Sequence, residues 1–278
     1  MSLNLEGEHI ESKVAFLGPE GTFTHEAASK VSNNLVSFCS IPAVMESIEK
    51  GDCLKGIVPI ENSIEGPVGI TLDSLAHKFD LKIQGEIIIP INQNLIGNKK
   101  ASFSDITDVY SHSQALAQCQ SFLDENNLNS HYSLSTASAA KNILNKNNLA
   151  AIGPKKIAEL YDLKIIESDI QDFSNNKTRF VILSKESCEL TGSDKTSLAF
   201  SIFEDFPGQL HEILGIFAKN NINLTKIESR PSKEDLGKYI FFIDFLGHKD
   251  DEIIKKILKE IKDKTPFTKI LGSYPTII

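Results

Sequence analysis

The alternation of strand and helix across residues 13–184 constrains the fold of this 278-residue chain more than any other feature. Apolar runs at 13–17, 36–40, 55–59, 82–91, 108–110, 131–135 and 149–152 read as strands. The segments at 42–50, 71–78, 136–145 and 154–160 between them read as helices, and a further helix, which Ser111 or Ser113 can cap, runs to about Leu123. Parallel strands need crossover connections, which helices supply, so the order implies a mostly parallel sheet. A polar connector at 169–177 then leads to a returning strand at 180–184. Two α/β lobes joined by a crossing connector leave a cleft between them.

The pattern changes after a polar linker at 185–195. A strand at 196–203 precedes a helix with Leu210, Ile213, Leu214 and Phe217 on one face. Strands follow at 224–230, ending at Pro231, and at 238–246. The helix at 250–263 aligns Ile253, Ile254, Ile257, Leu258 and Ile261, and a strand at 268–274 closes the unit. This β-α-β-β-α-β order is ferredoxin-like. No catalytic constellation is visible in it, which suits regulation or dimerisation.

Composition excludes several function classes. Against 37 acidic residues stand 29 basic ones, a net charge of −8, so nucleic acid is not an expected partner. No apolar run is long enough to cross a membrane, and the first residues lack the layout of a signal peptide. Cys39, Cys53, Cys119 and Cys188 are scattered without a Cys-x-x-Cys pair, reading as free thiols in a reducing cytoplasm. His25, His112 and His211 are isolated, so no metal site is expected.

Four stretches could carry chemistry. The chain has only two arginines, Arg179 and Arg230. Arg179 sits at the mouth of the returning strand, and its planar fork suits a carboxylate, so an anion site is expected there. A glycine turn at 18–21 opens a helix that Thr22 or Thr24 can cap, leaving backbone N–H groups for an anion. Glu61, Asn62 and Ser63 follow a strand's carboxyl end, where ligands of open α/β sheets bind. Ser111 precedes a helix on which Gln114 and Gln118, four apart, share a face.

These stretches, in this order and spacing, resemble prephenate dehydratase with a C-terminal ACT domain, from about Val14 to Pro275. The resemblance rests on 14–28, 56–66, 110–119, Thr178-Arg179-Phe180, 227–231, 239–247 and 271–275. It implies a two-lobed, periplasmic-binding-protein-like α/β catalytic domain at 1–188 and a ferredoxin-like ACT regulatory domain at 195–278. The first lobe would comprise about 12–98 plus 179–188, and the second about 99–178. The implied activity converts prephenate to phenylpyruvate with loss of water and carbon dioxide, inhibited by phenylalanine. Carried over residue by residue, Thr178, Glu61, Asn62, Ser111 and Gln118 would be catalytic. Arg179, Phe180, Ser63, Thr22, Phe23 and Thr24 would bind substrate. Gly208, Leu210, Glu228, Ser229, Arg230 and Pro231 would hold the effector. The family has proline at Ser113 and alanine at Gln209, which touches loop conformation and effector selectivity. A cytoplasmic homodimer or homotetramer is implied. Arogenate dehydratase is the near alternative and a non-catalytic amino-acid sensor the distant one.

Decarboxylation of such a substrate supplies the electrons that make the ring aromatic. No base, metal, flavin or nicotinamide is therefore required. The protein must assist the leaving hydroxyl and hold the carboxylates. A threonine hydroxyl titrates too high for an ordinary general acid. Thr178 is expected to act as a hydrogen-bond donor that strengthens as charge develops, with Arg179 anchoring the side-chain carboxylate and Phe180 packing beneath.

Overall fold

The computed structural model describes residues 13–203, 207–233 and 237–276. Lobe 1 begins with β1 (Val14–Leu17), α1 (Phe23–Ser29), β2 (Leu35–Phe38), α2 (Ile41–Lys50), β3 (Lys55–Asn62), β4 (Gly66–Pro67), α3 (Gly69–His77) and β5 (Lys82–Pro90). The Thr22 and Ser40 side chains cap α1 and α2 by accepting the N–H groups of His25 and Ala43. Lobe 2 contains β6 (Asn94–Gly97), β7 (Asp108–Ser111), α4 (Ser113–Ala117), α5 (Gln120–Glu125), β8 (Asn129–Tyr132), α6 (Thr136–Ile143), β9 (Leu149–Gly153), α7 (Lys155–Leu160) and β10 (Lys164–Glu167). The chain re-enters lobe 1 as β11 (Lys177–Ser184).

Both sheets are mixed. In lobe 1 the order is β2-β1-β3-β11-β5, and β11 lies antiparallel to both its neighbours. In lobe 2 the order is β10-β6-β9-β7-β8. Because β6 pairs with β9 and β10, the first crossing falls at 91–93 rather than near 98, and Lys177 and Thr178 belong to lobe 1. Strands β6 and β10, which go unread in the sequence, pair antiparallel with each other at one edge of the lobe 2 sheet.

The third unit is β12 (Asp194–Ser201), α8 (Gln209–Lys219), β13 (Leu224–Pro231), β14 (Tyr239–Leu246), α9 (Glu252–Lys264) and β15 (Phe267–Pro275). Its sheet order, β13-β14-β12-β15, is the ferredoxin-like one. Strand β14 is buried at every residue from Ile240 to Phe245, since both faces of the sheet are covered. Phe241, Ile243 and Phe245 pack under Ile213, Ile254 and Ile257 of the two helices. Ile240 and Phe242 face the other way and join Leu72, Leu75 and Val181 of lobe 1 in one continuous core. Contact is close enough that a Cβ on Gly272 of β15 would stand 2.2 Å from the Ile83 carbonyl oxygen of β5.

Candidate active site in the cleft

A cavity of about 600 Å³ opens between the two lobes, within the range of small-molecule sites. Its floor carries Thr178 and Phe180 of β11 beside Pro59 and Asn62 of β3. Pro59 has no N–H to give to the ladder, and the register between β3 and β11 slips there: Arg179 pairs with Glu61, yet Phe180 pairs with Pro59. One extra residue in β3 turns Asn62, not Glu61, into the cleft.

Asn62 is held without ambiguity. Its Oδ1 accepts the backbone N–H groups of Ile64 and Glu65, each at 2.9 Å. Its amide nitrogen must therefore face Thr178, donating to Thr178 Oγ1 at 2.9 Å and to Asn176 Oδ1 at 2.7 Å. Since Thr178 Oγ1 accepts this bond, its own proton is uncommitted among the described residues and open to the cavity it lines. Ser63, expected to bind substrate, lies outside the cavity lining. Its hydroxyl takes the Lys177 N–H at 2.9 Å and donates to the Asn175 carbonyl at 3.2 Å, tying down the approach to Thr178.

Thr22, Phe23 and Thr24 line the cavity from lobe 1, with His25 Nδ1 accepting the Gly21 N–H at 3.0 Å. Burial lowers the pKa of His25, keeping it a neutral acceptor. Ser135 and Thr136, at the start of α6, line the opposite side. The first amides of α1 and α6 have no intrahelical partner, and residues at both helix starts line the cavity. Gln118 and Gln114 reach across from lobe 2 to the Glu65 carboxylate, Gln118 at 2.9 Å. Gln118 Oε1 accepts from Gln93 at 3.1 Å, beside the first crossing. Glu65 is the single Asp, Glu, Lys or Arg among the described residues lining the cavity. The sequence reading missed it because it lies two residues past the Glu61–Ser63 cluster.

Besides Ser63, three residues expected in the cleft point elsewhere. Arg179, next to Thr178 on a strand, projects from the opposite face. Its Nε stands 2.7 Å from Glu86, its NH1 stands 2.6 Å from Asp244, and its NH2 donates to Tyr274 Oη at 2.8 Å. It is therefore an anchor between domains and not one for a substrate carboxylate. Burial opposes its charge, but Asp244, Tyr274 and Glu86 outweigh that and raise its pKa. Glu61 turns to the same side, 3.0 Å from Lys226 and 3.4 Å from Arg179. Ser111 is fully buried and gives its hydroxyl to the Ile152 carbonyl at 2.7 Å. A signal for the Arg179 site existed in the sequence: Asp244 is the one carboxylate inside the apolar run of β14.

The residues assigned to an effector site fall at the start of α8, Gly208 and Leu210, and on β13, Glu228 to Pro231. Arg230 is committed elsewhere. Its Nε and NH2 grip Asp73 of α3 at 2.7 and 3.0 Å, and its guanidinium lies on Gly69, where a Cβ would meet it at 2.4 Å. Both arginines of the chain thus join the third unit to lobe 1, one from each side.

Comparisons with known proteins bear on the whole chain. The family model for prephenate dehydratase matches residues 14–188, and that for the ACT domain matches residues 200–263. A prephenate dehydratase of Methanocaldococcus jannaschii is 42% identical over 276 residues, covering 96% of this chain and 99% of that protein. A bifunctional chorismate mutase/prephenate dehydratase of Aquifex aeolicus is 45% identical over 269 residues, covering 95% of this chain and 73% of that protein. Among solved structures, a prephenate dehydratase from Arthrobacter aurescens in complex with L-Phe has a TM-score of 0.86 at 36% identity. The match covers 95% of this chain and 90% of that one.

Proposed function

This chain belongs to the prephenate dehydratase family, and we propose that it converts prephenate to phenylpyruvate on the Asn62–Thr178 dyad of its cleft, with phenylalanine as a feedback effector at the ACT domain. The observation that carries this reading is the forced orientation of the Asn62 amide, which leaves the Thr178 proton for the substrate.

The reaction breaks the bond between ring and carboxylate, and the released electron pair enters the ring. The bond from ring to hydroxyl breaks at the opposite position, and hydroxide leaves with its own pair. Negative charge therefore grows on the departing oxygen. A Thr178 hydroxyl aimed at it, polarised by the bond from Asn62, gives a donor whose interaction strengthens towards the transition state. The hydroxide becomes water by taking a proton from solvent or a cleft group.

Prephenate is a dianion, and no arginine or lysine among the described residues lines the cavity. The uncapped amides at the starts of α1 and α6, with Thr24 and Thr136, supply neutral donors in place of a cation. Neutral donors suit the departing carboxylate in particular, because a tight ion pair would stabilise the ground state more than the transition state. Phe23 and Phe180 give the ring an apolar surface. Gln118 joins Glu65 to the crossing and so helps close the lobes over substrate. Phenylalanine is assigned to the start of α8 and to β13, where Gln209 replaces the family's alanine. We place the protein in the cytoplasm as a homodimer or homotetramer; four cysteines without disulfides and the edge position of β13 support this.

Giving the purified protein prephenate and arogenate separately, with and without phenylalanine, tests the reading. Phenylpyruvate from prephenate, suppressed by phenylalanine, is expected. Binding of either compound without product would overturn the enzymatic reading, and turnover indifferent to phenylalanine would overturn feedback alone.

A further inference from the structure

The lobe 1 sheet is a wall one strand thick. On its cleft side stand Asn62 and Thr178, cross-strand partners on β3 and β11. On its other side stand their immediate neighbours Glu61 and Arg179, also cross-strand partners. The ACT domain covers that second side with a cluster of six charges. Lobe 1 contributes Glu61, Glu86 and Arg179, and the ACT domain contributes Lys195, Lys226 and Asp244. Three positive and three negative charges balance, and each domain's excess is met by the other's.

A closed circuit of hydrogen bonds lies within the cluster. Arg179 NH2 donates to Tyr274 Oη, Tyr274 shares a 2.8 Å bond with Ser197 Oγ, and Ser197 donates to Asp244 Oδ1 at 2.6 Å. Arg179 NH1 donates to Asp244 Oδ2 at 2.6 Å and closes the circuit. The guanidinium is thereby fixed in position and in plane. Peptide geometry then fixes Thr178, since successive side chains of a strand share one backbone.

We propose that Asp244 of the ACT domain, acting through Arg179, is a positioning residue for the Asn62–Thr178 dyad, with Lys226 acting likewise through Glu61. Movement of the ACT sheet reaches the leaving group through this wall. The proposal rests on the catalytic reading of the dyad given above. The Arg230–Asp73 clamp provides an internal contrast: it joins the same two domains with a bidentate pair, but its lobe 1 partner is on α3 and carries no cleft residue beside it.

Full-length wild type, Asp244→Asn, Asp244→Glu, Tyr274→Phe and Asp73→Asn are compared in steady-state kinetics with prephenate and by amide hydrogen exchange without substrate. Misplacement of a catalytic group by about 1 Å costs on the order of 10²-fold, so kcat of Asp244→Asn should fall by at least about tenfold. KM should change by less than about threefold, because the lost interaction belongs to the transition state. Asp244→Glu should recover part of the loss. Tyr274→Phe removes one hydroxyl from the circuit and keeps the ring, so it should show a smaller loss of the same kind even if Asp244→Asn folds poorly. Asp73→Asn should keep wild-type kcat. The amides of Asn62 and Thr178 should exchange faster in Asp244→Asn and not in Asp73→Asn.

Wild-type kcat in both Asp244→Asn and Tyr274→Phe, or equal losses in Asp244→Asn and Asp73→Asn, would overturn the proposal. An inactive wild type would instead overturn the catalytic reading, and the exchange comparison alone would then decide whether Asp244 holds the strand pair.

Discussion

Replacing Thr178 by valine tests the site most directly, because valine keeps the shape and removes one oxygen. The structural cost is small. The Asn62 amide still has the Asn176 side chain at 2.7 Å and the Lys177 carbonyl at 3.3 Å for its two protons. One lost hydrogen bond of this type costs about 1 kcal/mol of stability. For a domain of this size that lowers Tm by about 2–4 °C. The kinetic cost is larger, since removing a donor to developing charge costs about 10²–10³ in kcat, or about 2.7–4 kcal/mol. Thr178→Ser keeps the hydroxyl and should keep most of the rate. Phenylpyruvate formation and calorimetry on the same preparations measure both costs. A valine variant turning over prephenate within about threefold of wild type would refute the assignment of the donor.

Three further outcomes follow from the domain contacts. Arg179→Met takes the guanidinium away from buried Asp244 and leaves buried Glu86 with Lys195 alone, so it should destabilise the protein by about 3–5 kcal/mol in denaturant titrations while leaving KM for prephenate nearly unchanged. A large rise in KM at wild-type stability would return Arg179 to a substrate-binding role. Gly272→Ala places a Cβ 2.2 Å from the Ile83 carbonyl and 2.7 Å from its nitrogen. The two strands must part, and thermal unfolding should report a loss of about 1–3 kcal/mol. The third outcome concerns pH. Burial raises the pKa of Asp73, but Arg230 and Lys233 prevail and hold it below the ordinary carboxylate value. A depressed carboxylate stabilises the fold above its unfolded pKa and loses that contribution as pH falls through the folded value. The Arg230 clamp should therefore hold above about pH 4 and weaken below it. Asp73→Asn should flatten the acid limb of a plot of Tm against pH, and an unchanged limb would contradict the assignment.

Much of the architecture is legible along the chain because its causes are local. Ser40 ahead of Ile41 and Pro42 starts α2, and the spacing of Ile254, Ile257 and Ile261 makes α9 amphipathic. The order of elements separates a two-lobed α/β unit from a ferredoxin-like one, and Thr178 with Asn62 stands out as part of a motif set. Register is not legible in the same way. A strand shifted by one residue reverses every side chain, and the slip at Pro59 depends on how β3 meets a strand more than a hundred residues later.

By itself, then, the sequence determined the elements, their order and the chemical kind of the site, since capping, periodicity and motif spacing act within one stretch of chain. The tertiary structure alone decided which side of the wall each motif residue occupies. It turned Asn62 and Thr178 to the cleft and Glu61 and Arg179 to the ACT domain, and it brought Glu65 across to Gln118. The physical reason is that a strand alternates its two faces by rule, whereas what covers each face depends on distant segments, here β14 and β15 behind and lobe 2 in front.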